Sequence, residues 1–456
     1  MNKDHNYIYI VSLGCAKNFV DTEIMAASLM TSNTFITPFA EDANIFLINS
    51  CAFIQSARDE TTEVINDALA WKNGVDSKRY IIVSGCINQW DTDGEFRKKF
   101  VGVDLWVGID EAKNIGDIVN NLVQKEIVTN KIVTSNPQFL YDESTPRLQL
   151  TAPHYAYLKI SEGCINNCSY CSIPLIRGKL RSRTISSVVK EAKNLINNGV
   201  RELLLIGQDL TAFGNDKPNK DENLAQLLHQ LDLLEGDFKI RILYNHPAHL
   251  TKEILDIMAN SKHILHYFDI PLQHINNNIL KQMNRMVSRE EIEDLLNYAR
   301  EIMPDVAIRT TFIVGFPGET ESNYEELKQF ILEQKFTRMG VFAYCEEPKT
   351  KAINFENKVS SEVALARQDE LMRLQAKISL ENNNACVNKT FKVIIDAINT
   401  ENNEAICRSY MDAPEVDNII IVSLDDFDEK TLSELQVGDY ITVKVYDCDT
   451  YELFAH

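Results

Sequence analysis

The sequence predicts an α/β chain in three parts: an N-terminal parallel-sheet α/β domain, a central partial (β/α)6 barrel and a C-terminal small antiparallel β-barrel. Three observations predict it. The chain has 456 residues, too many for one core at roughly 150 residues per domain. Apolar strand-like runs alternate with helical periodicity in two separate series, as parallel sheets with crossover helices require. Beyond a long helical segment ending near Glu381 the pattern turns short and β-rich.

The first series fills residues 1–127. Residues 7–13, 45–48, 80–84 and 103–107 are short apolar runs suited to buried strands, and residues 17–30, 60–71 and 115–123 have helical periodicity. Residues 128–152 hold Asn, Ser, Thr, two prolines and mixed charge, the composition of a linker. The second series fills residues 153–376, with strands expected at 155–160, 202–206, 239–243, 266–270, 306–314 and 339–344. Helices are expected between them at 186–197, 224–234, 251–259, 289–301 and 320–333. In such a barrel the chemistry belongs at the carboxyl ends of the strands. Residues 361–381 form one amphipathic helix with Ser361 as its candidate N-cap. Residues 377–456 then carry strands at 391–395, 404–407, 419–422 and 440–445 with turn signals such as Gly438-Asp439, which fits a small barrel of the oligonucleotide-binding type.

Hydrophobic residues make up 45% and charged residues 25%, which excludes a disordered or coiled-coil chain. The net charge is −20, and residues 377–456 alone hold 6 basic and 16 acidic residues, net −10. So acidic a chain repels a phosphate backbone unless a basic patch overrides the field. No apolar run approaches the ~18–20 residues of a membrane span. The opening Met1-Asn2-Lys3-Asp4-His5-Asn6 lacks the start of a signal peptide. The chain is expected to be cytoplasmic, without a membrane partner, and a monomer.

Ten cysteines in such a chain point to metal or redox chemistry rather than disulfides. Cys164, Cys168 and Cys171 form a Cys-x3-Cys-x2-Cys run directly after the first barrel strand. Three thiolates on one loop can hold three irons of a cubane cluster and leave the fourth open to a cofactor or substrate. A structural zinc would want a fourth ligand, and none stands at suitable spacing. This motif, with Tyr170 before its last cysteine, resembles that of the radical S-adenosylmethionine superfamily. The resemblance implies a [4Fe–4S] cluster whose open iron chelates S-adenosylmethionine and whose electron yields a 5′-deoxyadenosyl radical. It also implies cofactor contacts from Gly207, Gln208 and Asp209 at the end of the second barrel strand. Gly315 and Glu319, after the fifth, are expected near the adenosine.

Cys15, Cys51 and Cys86 each follow an apolar strand of the first domain. In a parallel sheet the strand ends share one edge, so these three thiols converge and suit a second cluster with an open iron. With both sets in view the whole chain resembles the methylthiotransferases. That family implies a second [4Fe–4S] cluster on Cys15, Cys51 and Cys86 that binds the sulfur to be delivered, and the radical-generating cluster on Cys164, Cys168 and Cys171. It also implies a sulfur donor and an electron donor such as flavodoxin.

One branch of the family modifies an adenosine of tRNA, the other an aspartate of ribosomal protein S12. Ser12-Leu13-Gly14-Cys15-Ala16-Lys17-Asn18, Lys159-Ile160-Ser161-Glu162-Gly163-Cys164 and Asp412-Ala413-Pro414-Glu415-Val416-Asp417 resemble the second branch; the last lies in a segment similar to a TRAM domain. Ala16 replaces a common proline at a position that is not a ligand. The acidic terminal domain agrees, being a poor clamp for tRNA and a plausible dock for a basic protein. Against it stands the run Arg177, Lys179, Arg181 and Arg183, readable as a solvated loop, as a contact to a carboxylate, or as a contact to ribosomal RNA. Cys345, Cys386, Cys407 and Cys448 match no ligand spacing and are expected to pack. Asn245, His246, Gln273 and His274 follow barrel strands, where they line a cavity or satisfy the core equally well.

Overall fold

The computed structural model describes residues 6–32, 34–124, 131–133, 137–218, 222–425 and 427–456. The first domain comprises β1 (Asn6–Ser12), α1 (Ala16–Met30), β2 (Thr34–Ile36), β3 (Ile45–Ser50), α2 (Gln55–Asn73), β4 (Tyr80–Gly85), α3 (Cys86–Trp90), β5 (Leu105–Val107), α4 (Ile115–Gln124) and β6 (Lys131–Val133). All six strands are parallel, in the order β2-β1-β3-β4-β5-β6. Every residue of β3 and β4 is buried, as central strands covered on both faces must be. Two strands escape the sequence pattern. β2 and β6 are three residues long, too short to show a period, and β6 falls inside the segment read as a linker. The rest of that segment is not all loose: Tyr141 is 2% exposed.

The second domain follows as β7 (Tyr155–Lys159), β8 (Ser161–Glu162), α5 (Ile173–Ile176), β9 (Arg181–Ser182), α6 (Ile185–Asn197), β10 (Glu202–Ile206), α7 (Leu224–Asp232), β11 (Lys239–Ile242), α8 (Lys252–Asn260) and β12 (Ile264–Asp269). It continues with α9 (Asn277–Gln282), α10 (Arg289–Ile302), β13 (Ala307–Val314), α11 (Glu321–Gln334), β14 (Arg338–Ala343) and α12 (Ser361–Asn384). Six parallel strands, β14-β13-β12-β11-β10-β7, make the open barrel. β8 and β9 pair as an antiparallel ribbon that closes the base of the loop between them. α12 is capped by Ser360, whose hydroxyl accepts from the Val363 N–H, and not by Ser361, which is already helical. This helix runs across the expected boundary at residue 376.

The terminal domain is a closed barrel of β15 (Thr390–Asn399), β16 (Glu404–Arg408), β17 (Ile419–Ser423), β18 (Tyr440–Cys448) and β19 (Glu452–Ala455), in the order β15-β16-β17-β19-β18. β17 and β19 pair in parallel and the rest are antiparallel. Cys386 and Cys407 are buried in its core and Cys448 packs against it, whereas Cys345, in the segment after β14, is exposed. No helix among the described residues is long and apolar enough to cross a membrane.

Candidate active site

β1, β3 and β4 are parallel neighbours with Ser12 beside Asn49 and Ser50 beside Gly85. Their carboxyl ends therefore form one edge, and Cys15, Cys51 and Cys86 leave it together. Gly14 (φ +86°) and Gly85 (φ +93°) turn in the left-handed region. A Cβ on Gly14 would stand 2.8 Å from Cys51 Sγ, so glycine is needed for both backbone and space. Burial pushes the Cys15 thiol up, but the Lys17 ammonium, the Arg177 guanidinium and nearby backbone N–H groups outweigh it and hold the thiol below its ordinary range. Burial wins at Cys86, whose thiol is pushed up to about 12.

Cys164, Cys168 and Cys171 lie on the loop between β8 and α5. The backbone N–H of Asn166 donates to Cys164 Sγ and that of Ile173 to Cys171 Sγ, both at 3.4 Å. Arg285 Nη1 stands 3.9 Å from Cys168 Sγ and 3.1 Å from the Tyr170 hydroxyl. Donors aimed at sulfur favour thiolate ligands. Burial pushes Cys164 up to about 11 and Cys171 up to about 12, so a metal bound there at neutral pH would have to displace protons.

The two sets meet. All six cysteines line one cavity of ≈ 480 Å³ between the parallel sheet and the barrel. Among the described residues, the group of His, Cys, Asp and Glu that closes to within 4.8 Å is Asp209, His246 and His249. Neither cysteine triad is drawn in that tightly, as suits ligands spread around several irons. Within that group Asp209 is fully hydrogen-bonded, whereas His246 Nε2 is buried without a partner. Asp209 Oδ2 is 2.8 Å from His249 Nδ1 and accepts from Asn166 Nδ2 at 2.6 Å, and its Oδ1 accepts from Thr211 and the Ala212 N–H.

A buried charge network holds the triads face to face. Arg177, from the barrel loop, donates to Asp21 Oδ2 (2.6 Å) and Asn18 Oδ1 (3.0 Å) of α1 and to Cys86 Sγ (3.1 Å). Lys159 Nζ reaches Asp21 Oδ1 at 2.5 Å and Glu162 Oε2 at 2.9 Å. Burial raises Glu162, yet Lys159 and Arg177 outweigh it and hold the carboxyl at about 2. The solvated-loop reading of the basic run therefore fails where it matters: Arg177 and Arg183 are each 2% exposed, and Arg183 pairs with Glu191. Lys179 alone of the four is exposed.

Of the expected cofactor residues, Gln208 and Asp209 line the cavity. Gln208 donates to Glu162 Oε1 at 2.6 Å, and its own Oε1 is buried without a partner. Gly207 lies behind them, where a Cβ would meet Ser161 Oγ at 2.7 Å. Gly315 and Glu319 lie outside the cavity lining. Gly315 (φ +75°) packs on Ala364 of α12. Glu319 accepts from the Gly315 N–H at 2.7 Å and pairs with Arg367 of α12 at 2.8 Å. Asn245, His246 and Gln273 reach the wall, whereas His274 is fully buried elsewhere. Sequence reasoning missed Arg285, Tyr244 and Lys17, which all line the cavity. For Lys17 a signal existed, since it falls in the first helical turn two residues after Cys15.

Comparison with known proteins agrees with this geometry. The Radical SAM superfamily matches residues 158–331, the Uncharacterized protein family UPF0004 residues 7–108 and the TRAM domain residues 387–456. The ribosomal protein uS12 methylthiotransferase RimO of Clostridioides difficile is 40% identical over 450 residues, covering 98% of each chain. Its namesake from Bdellovibrio bacteriovorus is 39% identical over 98% of this chain and 96% of that one. The one from Caldicellulosiruptor saccharolyticus is 40% identical over 97% and 98%. Among solved structures, the radical S-adenosylmethionine methyltransferase TsrM from Kitasatospora setae superposes with a TM-score of 0.54 at 12% identity, over 76% of this chain and 74% of that one, a likeness of fold. The chain belongs to the radical SAM family of the ribosomal protein uS12 methylthiotransferases RimO.

Proposed function

We propose that this chain adds a methylthio group to the β-carbon of an aspartate in ribosomal protein S12. The observation that carries the reading is one cavity lined by three cysteines from each of two domains. Membership of the radical SAM superfamily implies one [4Fe–4S] cluster and S-adenosylmethionine. Cys164, Cys168 and Cys171 would hold that cluster, and Cys15, Cys51 and Cys86 a second one bearing the sulfur. The donor sets fit: each has three thiols, and N–H donors are aimed at two sulfurs of the barrel triad. When bound, these groups supply hydrogen-atom abstraction, sulfur and a methyl group.

The chain's own residues supply the setting. An aspartyl β-carbon has no C–H acidity that a side-chain base could exploit near neutral pH, so the protein contributes position and exclusion of water rather than proton transfer. Arg177, Lys159, Asp21 and Glu162 fix the two triads relative to each other. Gln208 and Asp209 offer polar contacts to the cofactor from the cavity wall. Gly207 acts behind it, through backbone shape, while Gly315 and Glu319 fix the turn after β13 against α12. A low-potential donor such as flavodoxin and a separate sulfur donor complete the cycle, and the chain acts as a monomer. The acidic outer face of the terminal barrel suits a basic protein substrate.

The test is mass spectrometry of S12 from cells with and without the gene. A methylthio increment on one aspartate, lost in the deletion strain, is the expected result. An unchanged S12 together with loss of methylthioadenosine from tRNA would overturn the reading.

A further inference from the structure

Lys17 lines the cavity and is only 7% exposed. A buried ammonium is costly without a carboxylate, and the first turn of a helix is the wrong end for a cation. No carboxylate among the described residues pairs with it. Asp21, one turn further along α1, is taken by Lys159 and Arg177. Asp269 is taken by Arg309 and the Tyr244 N–H. Of the other cations of the wall, Arg177 is committed to Asp21 and Glu162, while Arg285 stands by the barrel triad, donating to the Tyr170 hydroxyl and the Pro271 carbonyl with its Nε unpartnered. Lys17 instead sits 3.2 Å from the centroid of the Tyr244 ring. Tyr244 is itself held at φ +62°, a left-handed backbone that an aromatic residue rarely adopts. Such strain gathers at ligand clamps, where the surrounding structure over-determines it.

We infer that Lys17 binds the side-chain carboxylate of the substrate aspartate and selects an acidic residue over a neutral one; this rests on the function proposed above. Two carboxylates can enter this cavity, that of the substrate and that of S-adenosylmethionine. The position favours the substrate. Lys17 adjoins Cys15, in the triad assigned to the sulfur, and the side chain that receives sulfur must come to that triad. The Tyr244 ring beneath the ammonium leaves it anchored on one side with its remaining protons free to donate.

The experiment uses the full-length, iron-reconstituted enzyme under anaerobic conditions and two forms of purified S12, with the target aspartate intact or replaced by asparagine. Equilibrium binding of both forms and of S-adenosylmethionine is measured for the wild type, Lys17→Met and Lys17→Arg, with iron content measured alongside. Wild type should prefer the aspartate form by roughly 10- to 100-fold, the range for a hydrogen bond to a charged group. Lys17→Met, compared only as protein carrying its full iron because the ammonium also lowers the Cys15 thiol, should lose that preference with cofactor affinity unchanged, and Lys17→Arg should keep most of it. Equal wild-type affinity for the two forms overturns the inference whatever the variants do. So does a Lys17→Met defect confined to cofactor affinity, or one traced to lost iron, which would give the cation to the cofactor or to the thiolates. Failure of the underlying function looks different: wild type would then leave the aspartate form of S12 unmodified.

Discussion

Gly14 shows how a residue with no chemistry of its own sets the site. Its φ of +86° and the 2.8 Å between its missing Cβ and Cys51 Sγ leave no room for a side chain. Gly14→Ala should therefore bind the iron of one cluster and not of two, measured as iron and sulfide per chain, with the barrel triad still loading. A full iron complement in that variant would remove Cys51 from the second set. Glu162 gives a second test. Its carboxyl, held at about 2 against an ordinary 4.5, favours the folded state wherever it is charged in that state and would be less stable charged in the unfolded one. That contribution is complete above the ordinary value and is lost as pH falls from about 4.5 towards about 2. The urea midpoint of the metal-free protein should drop steeply across that window, and Glu162→Gln should flatten the drop. That the six cysteines meet at one cavity was legible because spacing and strand ends declare it. Arg177 was legible only as a charge. Its partners Asp21 and Asn18 stand more than a hundred residues away, and sequence pattern does not report such pairings.

Elements with a clear period were found where they stand. β3, β4 and the barrel strands declare themselves by uninterrupted apolar runs, while β2, β6 and β19 span three or four residues and lack the longer run, residues 103–107, that still marks the equally short β5. The same limit explains Gly315 and Glu319. A glycine and a carboxylate after a barrel strand look like a cofactor site, but what they meet is α12, an element whose docking the sequence leaves open. Glu319 ties the turn after β13 to Arg367. Arg367→Met leaves that carboxylate buried without its cation, at a cost of about 3–5 kcal/mol. Its unfolding midpoint should fall clearly, while affinity for S-adenosylmethionine in the folded fraction stays within about 3-fold, less than the 1.4 kcal/mol that a tenfold change represents. A selective loss of cofactor affinity would return Glu319 to the cofactor site.

At the scale of the molecule, the carboxylates of the acidic terminal domain divide into two sets. One bolts the domain to the barrel: Asp412 pairs with Arg338, Asp417 with Arg309, and the Tyr155 hydroxyl donates to Glu415. The stretch Asp412-Ala413-Pro414-Glu415-Val416-Asp417, legible as a family mark, is thus an internal fastening, and its charges are spent before any partner arrives. The other set is free to act at long range and includes Asp428, Asp447 and Asp449, each exposed. Screening decides what these can do: at physiological salt the field of an exposed carboxylate fades over about 8 Å, so they steer a basic protein and hold it weakly. Replacing all three by asparagine should slow S12 association and flatten its dependence on ionic strength, with dissociation and iron content little changed, as rim charges behave. Stopped-flow association at several salt concentrations measures this. An unchanged salt slope would move the S12 contact away from the terminal barrel. It would leave exposed apolar surface, such as Met286, 80% exposed and next in sequence to the cavity-lining Arg285, to make the first contact instead.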